Sequence, residues 1–343
     1  MQPNYRITEK MLNLVEKISQ ATTQLAIEKR VLHLRKENRI RSIQSSLAIE
    51  NNSLTLEQVT AILEGRKVMG PPKDIHEVQN AYEAYDLVFQ LDPYSVEDFL
   101  KAHELLTKGL VKHPGQFRLS DVGVYDSQGQ VVHVGARPQF VPQLVSQLFD
   151  WAKSSQISDL VKSCILHFEL EIIHPFEDGN GRMGRLWQSL VLSRFNPIFE
   201  WLPVESLIYK HQEGYYNALT ISNHDDDATV FIEFMLEAIY ESLQEYQTGN
   251  HLEEDGPELT DKEVEVFQNI KSYLQVHSHI SNAQAKEVTG LSQASVRRYL
   301  ASFLEKDLLT MTGSTRDRQY RLKIHQNPLK NPLRWVSGFS GKG

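Results

Sequence analysis

Apolar positions recur every three to four residues over most of the chain, the period of helices that bury one face. Leu12, Val15, Ile18 and Leu25 set this period in a first helix. Ile40, Ile43 and Leu47 set it in a second, expected to end near Glu50-Asn51-Asn52. Thr55 followed by Gln58 has the form of a capping box opening a third helix, with Gly65 as its stop. After Gly70-Pro71-Pro72 the pattern resumes through Tyr82, Tyr85 and Val88. Asp92-Pro93-Tyr94-Ser95 then reads as a turn before a helix carrying Phe99, His103 and Leu106.

The period changes between Gly115 and Pro138. Val122 and Val124 on one side of Asp126-Ser127-Gln128-Gly129, and Val131, Val132 and Val134 on the other, predict a β-hairpin, the one convincing strand pair of the first 250 residues. Helical spacing returns over Val141–Trp151, through Ile157, Leu160, Val161, Cys164, Phe168 and Ile172, and near Thr229–Gln247. Asp225-Asp226-Asp227 reads as an acidic cap on the last of these rather than a calcium loop.

Residues 249–257, acidic and rich in Gly and Pro, read as a linker. Beyond it, a helix from a Thr260/Glu263 capping box, a second from Ser281 stopped by Gly290, and a third from Ser292 precede a hairpin. The hairpin strands run through Leu309-Thr310-Met311 and Gln319-Tyr320-Arg321-Leu322. That order predicts a winged helix-turn-helix over 258–325, followed by a poorly ordered tail, 326–343.

Composition narrows the class. At 343 residues with 41% hydrophobic positions the chain can bury real cores, and no run of about 18 uncharged apolar residues predicts a membrane span. The N-terminus lacks the apolar stretch of a signal peptide. A single cysteine, Cys164, fits a reducing cytoplasm, and its apolar helical setting reads as core rather than nucleophile. The net charge of −8 is uneven: residues 281–343 carry 11 basic against 4 acidic residues, so the rest carries −15. A basic module on an acidic body is expected.

The stretch richest in chemistry is Ile172-Ile173-His174-Pro175-Phe176-Glu177-Asp178-Gly179-Asn180-Gly181-Arg182-Met183-Gly184-Arg185. A helix must end at His174, because the residue before proline disfavours the α region. Gly179-Asn180-Gly181 then feeds a new helix, whose free N–H groups and dipole suit phosphate. Arg182 and Arg185 lie one turn apart on that helix and add guanidinium forks for a polyphosphate. Asp178 is the hard oxygen ligand Mg²⁺ prefers, and His174 can act as a general base. Within twelve residues, base, carboxylate, nest and arginines describe phosphoryl or nucleotidyl transfer. Alternatively, His167, Glu171 and His174 share one helix face and could bind a metal; no Walker lysine, GxGxxG, CxxC or GxSxG pattern occurs.

HPFEDGNGRMGR resembles the signature of the Fic (Fido) family, HxFx(D/E)GNGRxxR, at every specified position, and the resemblance extends over roughly Leu12 to Tyr240. It implies a mainly α fold, a Fic-type helical core (92–248) with the hairpin as a flap, behind an N-terminal helical region (1–91). It also implies transfer of AMP from ATP–Mg²⁺ to a hydroxyl of a target protein or of the chain itself. By the resemblance His174 deprotonates that hydroxyl, Phe176 anchors the loop, Asp178 holds Mg²⁺, and Gly179, Asn180 and Gly181 bind phosphates. Arg182 then meets the β- and γ-phosphates and Arg185 the γ-phosphate. Tyr215-Tyr216 resembles the family's adenine-pocket segment, with Tyr216 and Asn223 as nucleotide contacts. Val131, Val132 and His133 of the flap would pair with an extended target segment, although Gly135-Ala136 stand where many relatives have prolines.

Ser46-Leu47-Ala48-Ile49-Glu50-Asn51 resembles the family's inhibitory motif, (S/T)xxxE(G/N), on a helix at about 37–51. Glu50 is expected to pair with Arg185 in the γ-phosphate space. In the basic module, Arg297 and Arg298 on the third helix, with Arg316 and Arg318 in the wing, would contact DNA or else present a protein-docking face. A protein adenylyltransferase autoinhibited by Glu50 is the reading these features favour. A nucleotide-sensing DNA-binding regulator and an AMP-removing enzyme are the alternatives, and a homodimer is left open.

Overall fold

The helical period of the sequence is realised almost throughout the computed structural model, which describes residues 2–27, 31–125, 131–248, 261–274, 279–306, 308–313, 318–322 and 334–337. Two compact units divide the chain, Met1–Gly249 with Leu329–Gly343, and Asn250–Pro328.

In the first unit, α1 (Glu9–Ile27), α2 (Val31–Ile49), α3 (Leu56–Leu63), α4 (Pro72–Leu87) and α5 (Val96–Thr107) precede the hairpin β1 (Val122–Tyr125) and β2 (Val131–Val134). Then follow α6 (Val141–Ser154), α7 (Asp159–Ile173), α8 (Asn180–Phe195), α9 (Val204–Lys210), α10 (Gln212–Asp225) and α11 (Thr229–Thr248). Two hydrophobic clusters hold these helices. One joins Ile43, Leu47, Val78, Phe99, Phe149, Phe176 and Trp187; the other joins Met11, Ile18, Cys164, Phe168, Phe199, Phe231 and Leu236. Residues 1–91 and 92–248 thus share their cores. Cys164 is fully buried, and burial pushes its thiol up to about 12, so it packs as a small hydrophobe.

Local signals set several helix ends. Thr55 and Gln58 form the reciprocal capping box at α3, and Gly65 follows with φ 75°. Asp227 accepts the Thr229 N–H at the start of α11, the capping role expected of the acidic triplet. Ile18 and Leu25 of α1 are buried as expected, but at its N-terminal end Met11 and Leu14 are buried, whereas Leu12 is exposed. Met11 and Leu14 complete the stripe that faces α11.

The second unit runs α12 (Asp261–Leu274), a short β3 (Ile280–Ser281), α13 (Asn282–Thr289), α14 (Gln293–Glu305) and the hairpin β4 (Leu309–Thr312) and β5 (Gln319–Leu322). β5 lies between β3 and β4, both antiparallel to it. Val266, Ile270, Ile280, Val296, Leu300, Phe303, Leu309 and Tyr320 form its core. Ser281 caps α13 with Gln284, Gly290 closes it in the left-handed region, and Ser292 caps α14. Glu263, whose expected capping partner Thr260 is not described, accepts from Ser302 Oγ at 2.7 Å and Lys306 Nζ at 3.0 Å, tying α12 to α14. Thr260, the linker 249–257 and Arg316 lie outside the described residues.

Of the tail, read from the sequence as poorly ordered, only residues 334–337 are described. Arg334–Ser337 forms β6, antiparallel to β1, with Val122 opposite Ser337 and Tyr125 opposite Arg334. The order β2-β1-β6 makes the flap three-stranded. Trp335 and Val336 favour a strand, a signal outweighed in the sequence by the flanking Pro, Asn and Gly. Among the described residues no helix is long and apolar enough to cross a membrane.

Candidate functional site

The site is the loop between α7 and α8. α7 stops at Ile173, and His174 enters the left-handed region at φ 51° and ψ 65°. A non-glycine residue there is strained by about 1 kcal/mol or more, so surrounding contacts must hold it. Arg118, 1% exposed, supplies them. Its Nε donates to the His174 carbonyl at 2.6 Å, Nη1 to Ser120 O at 2.8 Å, and Nη2 to Ala136 O and Ile173 O. One guanidinium therefore fastens the loop to both ends of the flap. Nothing in the local pattern around Arg118 singles it out in the sequence.

Phe176 is fully buried among Phe99, Phe117 and His103, the last stacked on it at 3.6 Å between ring centres. Asn180 is buried too. Its Oδ1 accepts the Phe176 N–H at 2.8 Å and its Nδ2 donates to Phe176 O at 2.9 Å. The Asn180 side chain thus shapes the loop. His103 completes the frame: the Gly115 N–H donates to Nδ1 at 3.0 Å, so Nε2 carries the proton given to Asp178 O, also 3.0 Å away. Burial pulls its pKa down to about 4, which keeps the ring neutral.

Gly179 sits at φ 86° where α8 begins, and a Cβ there would press on Thr107. The Asp178 carboxylate, half-exposed at the rim, accepts from the Gly179 N–H at 2.6 Å and Arg182 Nη2 at 3.1 Å. Arg182 and Arg185 are 4% and 2% exposed, so both guanidinium charges are drawn from solvent and held by fixed partners. Arg182 also reaches Glu77 on α4 at 3.3 Å.

Ser46, Glu50 and Arg185 converge although 135 residues separate Glu50 from Arg185. Arg185 donates from Nε to Ser46 Oγ at 3.1 Å, and from Nη2 to Ser46 O at 3.0 Å and Glu50 Oε1 at 2.8 Å. Burial opposes the arginine's charge, but the Glu50 carboxylate, together with Tyr215 and Tyr216, more than offsets this and holds its pKa above the ordinary value. A Cβ added to Gly181 would collide with Glu50 Oε1, so the carboxylate lies directly on the nest. Asn51 follows at φ 68°, which explains why glycine or asparagine suits that position. α2 is seated by buried polar contacts: Ser42, Tyr85 and Ser189 all donate to Glu205 on α9, and Gln212 donates to Ile49 O.

Under this surface, His167 contacts Gln188 at 2.6 Å and Tyr215 at 3.0 Å, and burial lowers its pKa to about 3. Among the described residues no three His, Cys, Asp or Glu side chains gather as a metal site. Tyr215 is therefore part of a buried network, whereas Tyr216 lines an open cavity of about 1190 Å³ with Leu14, Lys17, Asn217 and Phe234. Asn223 lies in the last turn of α10, its carbonyl accepting the Asp226 N–H, and does not line that cavity. Val131, Val132 and His133 form β2, an edge strand of the flap. In the second unit Arg297 and Arg298 are exposed on α14, and Arg318 is partly buried just before β5.

Residues 93–192 match the Fic/DOC family model. The chain is 28% identical over 288 residues to protein adenylyltransferase fic-1 of Caenorhabditis elegans, covering 78% of this chain and 54% of that one. It is 28% identical over 239 residues to protein adenylyltransferase Fic of Nematostella vectensis, covering 66% and 52%. The chain thus spans about half the length of these curated relatives. A solved structure of C. elegans Fic-1 (residues 134–508) shares the fold at TM-score 0.59 and 23% identity, covering 70% of this chain and 72% of that one. A crystal structure of a Fic family protein from Desulfovibrio desulfuricans G20 is 39% identical with a TM-score of 0.70, covering 94% of this chain and 98% of that one. With a relative of that identity matched almost from end to end, and the family core falling on the residues that build the nest, this chain belongs to the Fic/DOC family.

Proposed function

We propose that the chain is a protein adenylyltransferase held inactive by its own Glu50. The observation that carries this reading is the placement of the Glu50 carboxylate on Gly181 and against Arg185, where an anion would otherwise sit. In the reaction, a target hydroxyl oxygen attacks the α-phosphorus of ATP. The bond from that phosphorus to the bridging oxygen breaks and pyrophosphate leaves. His174 takes the hydroxyl proton. The start of α8 presents the Gly181 N–H to the phosphates, and Gly179 adds its own only on giving up its bond to Asp178, with Arg182 and Arg185 facing the β- and γ-phosphates.

Mg²⁺ takes only one or two protein carboxylates when phosphates and water supply the rest, so the half-exposed Asp178 at the rim of the nest fits it without a dedicated cage. Bound there, Mg²⁺ would neutralise phosphate charge during transfer. The edge of β2 at Val131–His133 suits an extended target segment added as a further strand. With α-labelled ATP, label should pass to protein, and with γ-labelled ATP it should not. Transfer of γ-label would make the chain a kinase.

The second unit reads as a winged helix-turn-helix, supported by the order of its helices and hairpin and by exposed Arg297 and Arg298 on α14. DNA is the partner that a basic third helix favours. Removing residues 281–343 should abolish DNA binding, and affinity should fall steeply with salt. Salt-insensitive binding would favour a protein partner instead.

A further inference from the structure

Glu77 on α4 is 7% exposed and belongs to no motif, yet it joins two parts of the site. Its Oε1 accepts from Arg182 Nη1 at 3.3 Å, and its Oε2 accepts from Asn52 Nδ2 at 2.9 Å. Asn52 stands two residues after Glu50 and also donates to Asp74 O at 3.1 Å. Ser53 closes on the Asp74 carboxylate through its N–H at 2.8 Å and its hydroxyl at 2.6 Å. The segment leaving α2 is therefore clasped to the start of α4, and through Glu77 to Arg182. The other end of that guanidinium holds Asp178 at 3.1 Å, so carboxylates engage both Nη atoms. On the solvent side Lys73 Nζ lies 3.7 Å from Glu77.

We propose that Glu77 is a second restraining carboxylate of this site, which holds Arg182 back from incoming phosphates and couples that hold to the end of α2 through Asn52. The proposal rests on the nucleotide-transfer reading of the loop. A polyphosphate entering the nest gains Arg182 only by displacing Glu77 or by lying beside it. Displacement leaves a buried carboxylate without its ion partner, and cohabitation sets like charges together at low dielectric. Both routes weaken binding of the β- and γ-phosphates. The two arginines are thus restrained by linked carboxylates, Arg185 by Glu50 and Arg182 by Glu77, with Asn52 tying the end of α2 that carries Glu50 to Glu77. Loss of Glu50 alone leaves the second restraint in place.

Glu77→Gln tests the charge at nearly constant shape. An amide can accept from Asn52 or from Arg182 but cannot serve both as the carboxylate does. In chains also carrying His174→Ala, so that no transfer occurs, Mg–ATP and AMP are titrated by calorimetry with and without Glu77→Gln. Mg–ATP should bind about tenfold more tightly, the size of one hydrogen bond to a charged group, while AMP, lacking the outer phosphates, should not change. Unchanged or weaker Mg–ATP binding, or an equal gain for AMP, would overturn the proposal.

Asn52→Ala tests the coupling and leaves Glu77 on Arg182. It should raise self-modification in the chain that keeps Glu50 and have no such effect beside Glu50→Gly. An equal effect in both chains, or none in either, would remove the coupling. If Glu50→Gly itself leaves transfer at the starting level, the Glu50 reading fails, and the nucleotide titrations still decide Glu77. Failure of every variant to bind Mg–ATP would sink the nucleotide reading and this proposal with it.

Discussion

Glu50 Oε1 lies 2.8 Å from Arg185 Nη2 and over Gly181, so one carboxylate neutralises the arginine and covers the nest at once. A charge-assisted hydrogen bond contributes about 1.5–3 kcal/mol, and each 1.4 kcal/mol is about tenfold. Glu50→Gly should therefore raise AMP transfer by about ten- to a hundredfold in a radiolabel assay. Glu50→Asp should release it only in part, since the charge stays but its reach shortens. Adding His174→Ala to Glu50→Gly should abolish the gain. Wild-type activity in Glu50→Gly would show that the carboxylate does not control the site.

The close approach of α7 and α8 makes Gly184 a second sensitive point. A Cβ there would stand 2.7 Å from Glu171 Oε1 and 2.8 Å from His167 Cδ2. Alanine favours a helix over glycine by about 1 kcal/mol, but overpacking of this kind costs about 1–3 kcal/mol. The clash should win, because both neighbours are buried and His167 is fixed by Gln188 and Tyr215. Gly184→Ala should lower the urea midpoint; an unchanged or raised midpoint would show that the two helices can separate freely.

How much of this was legible beforehand follows from the range of each interaction. The capping residues Thr55, Ser281 and Ser292 act within three positions of themselves, and the His174–Arg185 loop carries its chemistry in one continuous stretch. Such features survive in a linear reading. The Glu50–Arg185 pair is visible only through a motif resemblance, and the contacts of Arg118, His103 and Glu77 are not visible at all. Their partners lie 55, 75 and 105 residues away, and a lone charged side chain gives no local sign of a distant carbonyl or guanidinium. The strand at Arg334–Ser337 was hidden for the same reason, since its pairing partner is β1.

His103 should make stability depend on pH. Its folded pKa, about 4, lies below the ordinary value of 6.5 because of burial. The unfolded chain therefore binds the proton first as pH falls, and the native state loses stability from about pH 6.5 down to about pH 4. The full effect is on the order of 3 kcal/mol, at about 1.4 kcal/mol per unit. Denaturant unfolding at successive pH values should show this slope added to that of His167, whose pKa burial lowers further, to about 3, and His103→Asn should make the combined slope shallower. An identical slope in the variant would assign the loss to other groups.

Arg118 gives the sharpest test of how His174 is held. Four carbonyls, of Ser120, Ala136, Ile173 and His174, accept from its side chain. Arg118→Met fills similar space but donates nothing, and each buried acceptor left without a donor costs about 1–3 kcal/mol. Water can enter beside the flap and recover part of this, so a net loss of about 2–5 kcal/mol is expected. Measured on a Glu50→Gly background, kcat should fall at least tenfold, because His174 relaxes from its left-handed conformation. ATP binding should change little, since the nest and its arginines do not touch Arg118. Arg118→Lys keeps the charge but cannot span four acceptors, so it should fall between the two. A kcat that stays at the parent level in a folded Arg118→Met chain would mean that the loop holds His174 unaided.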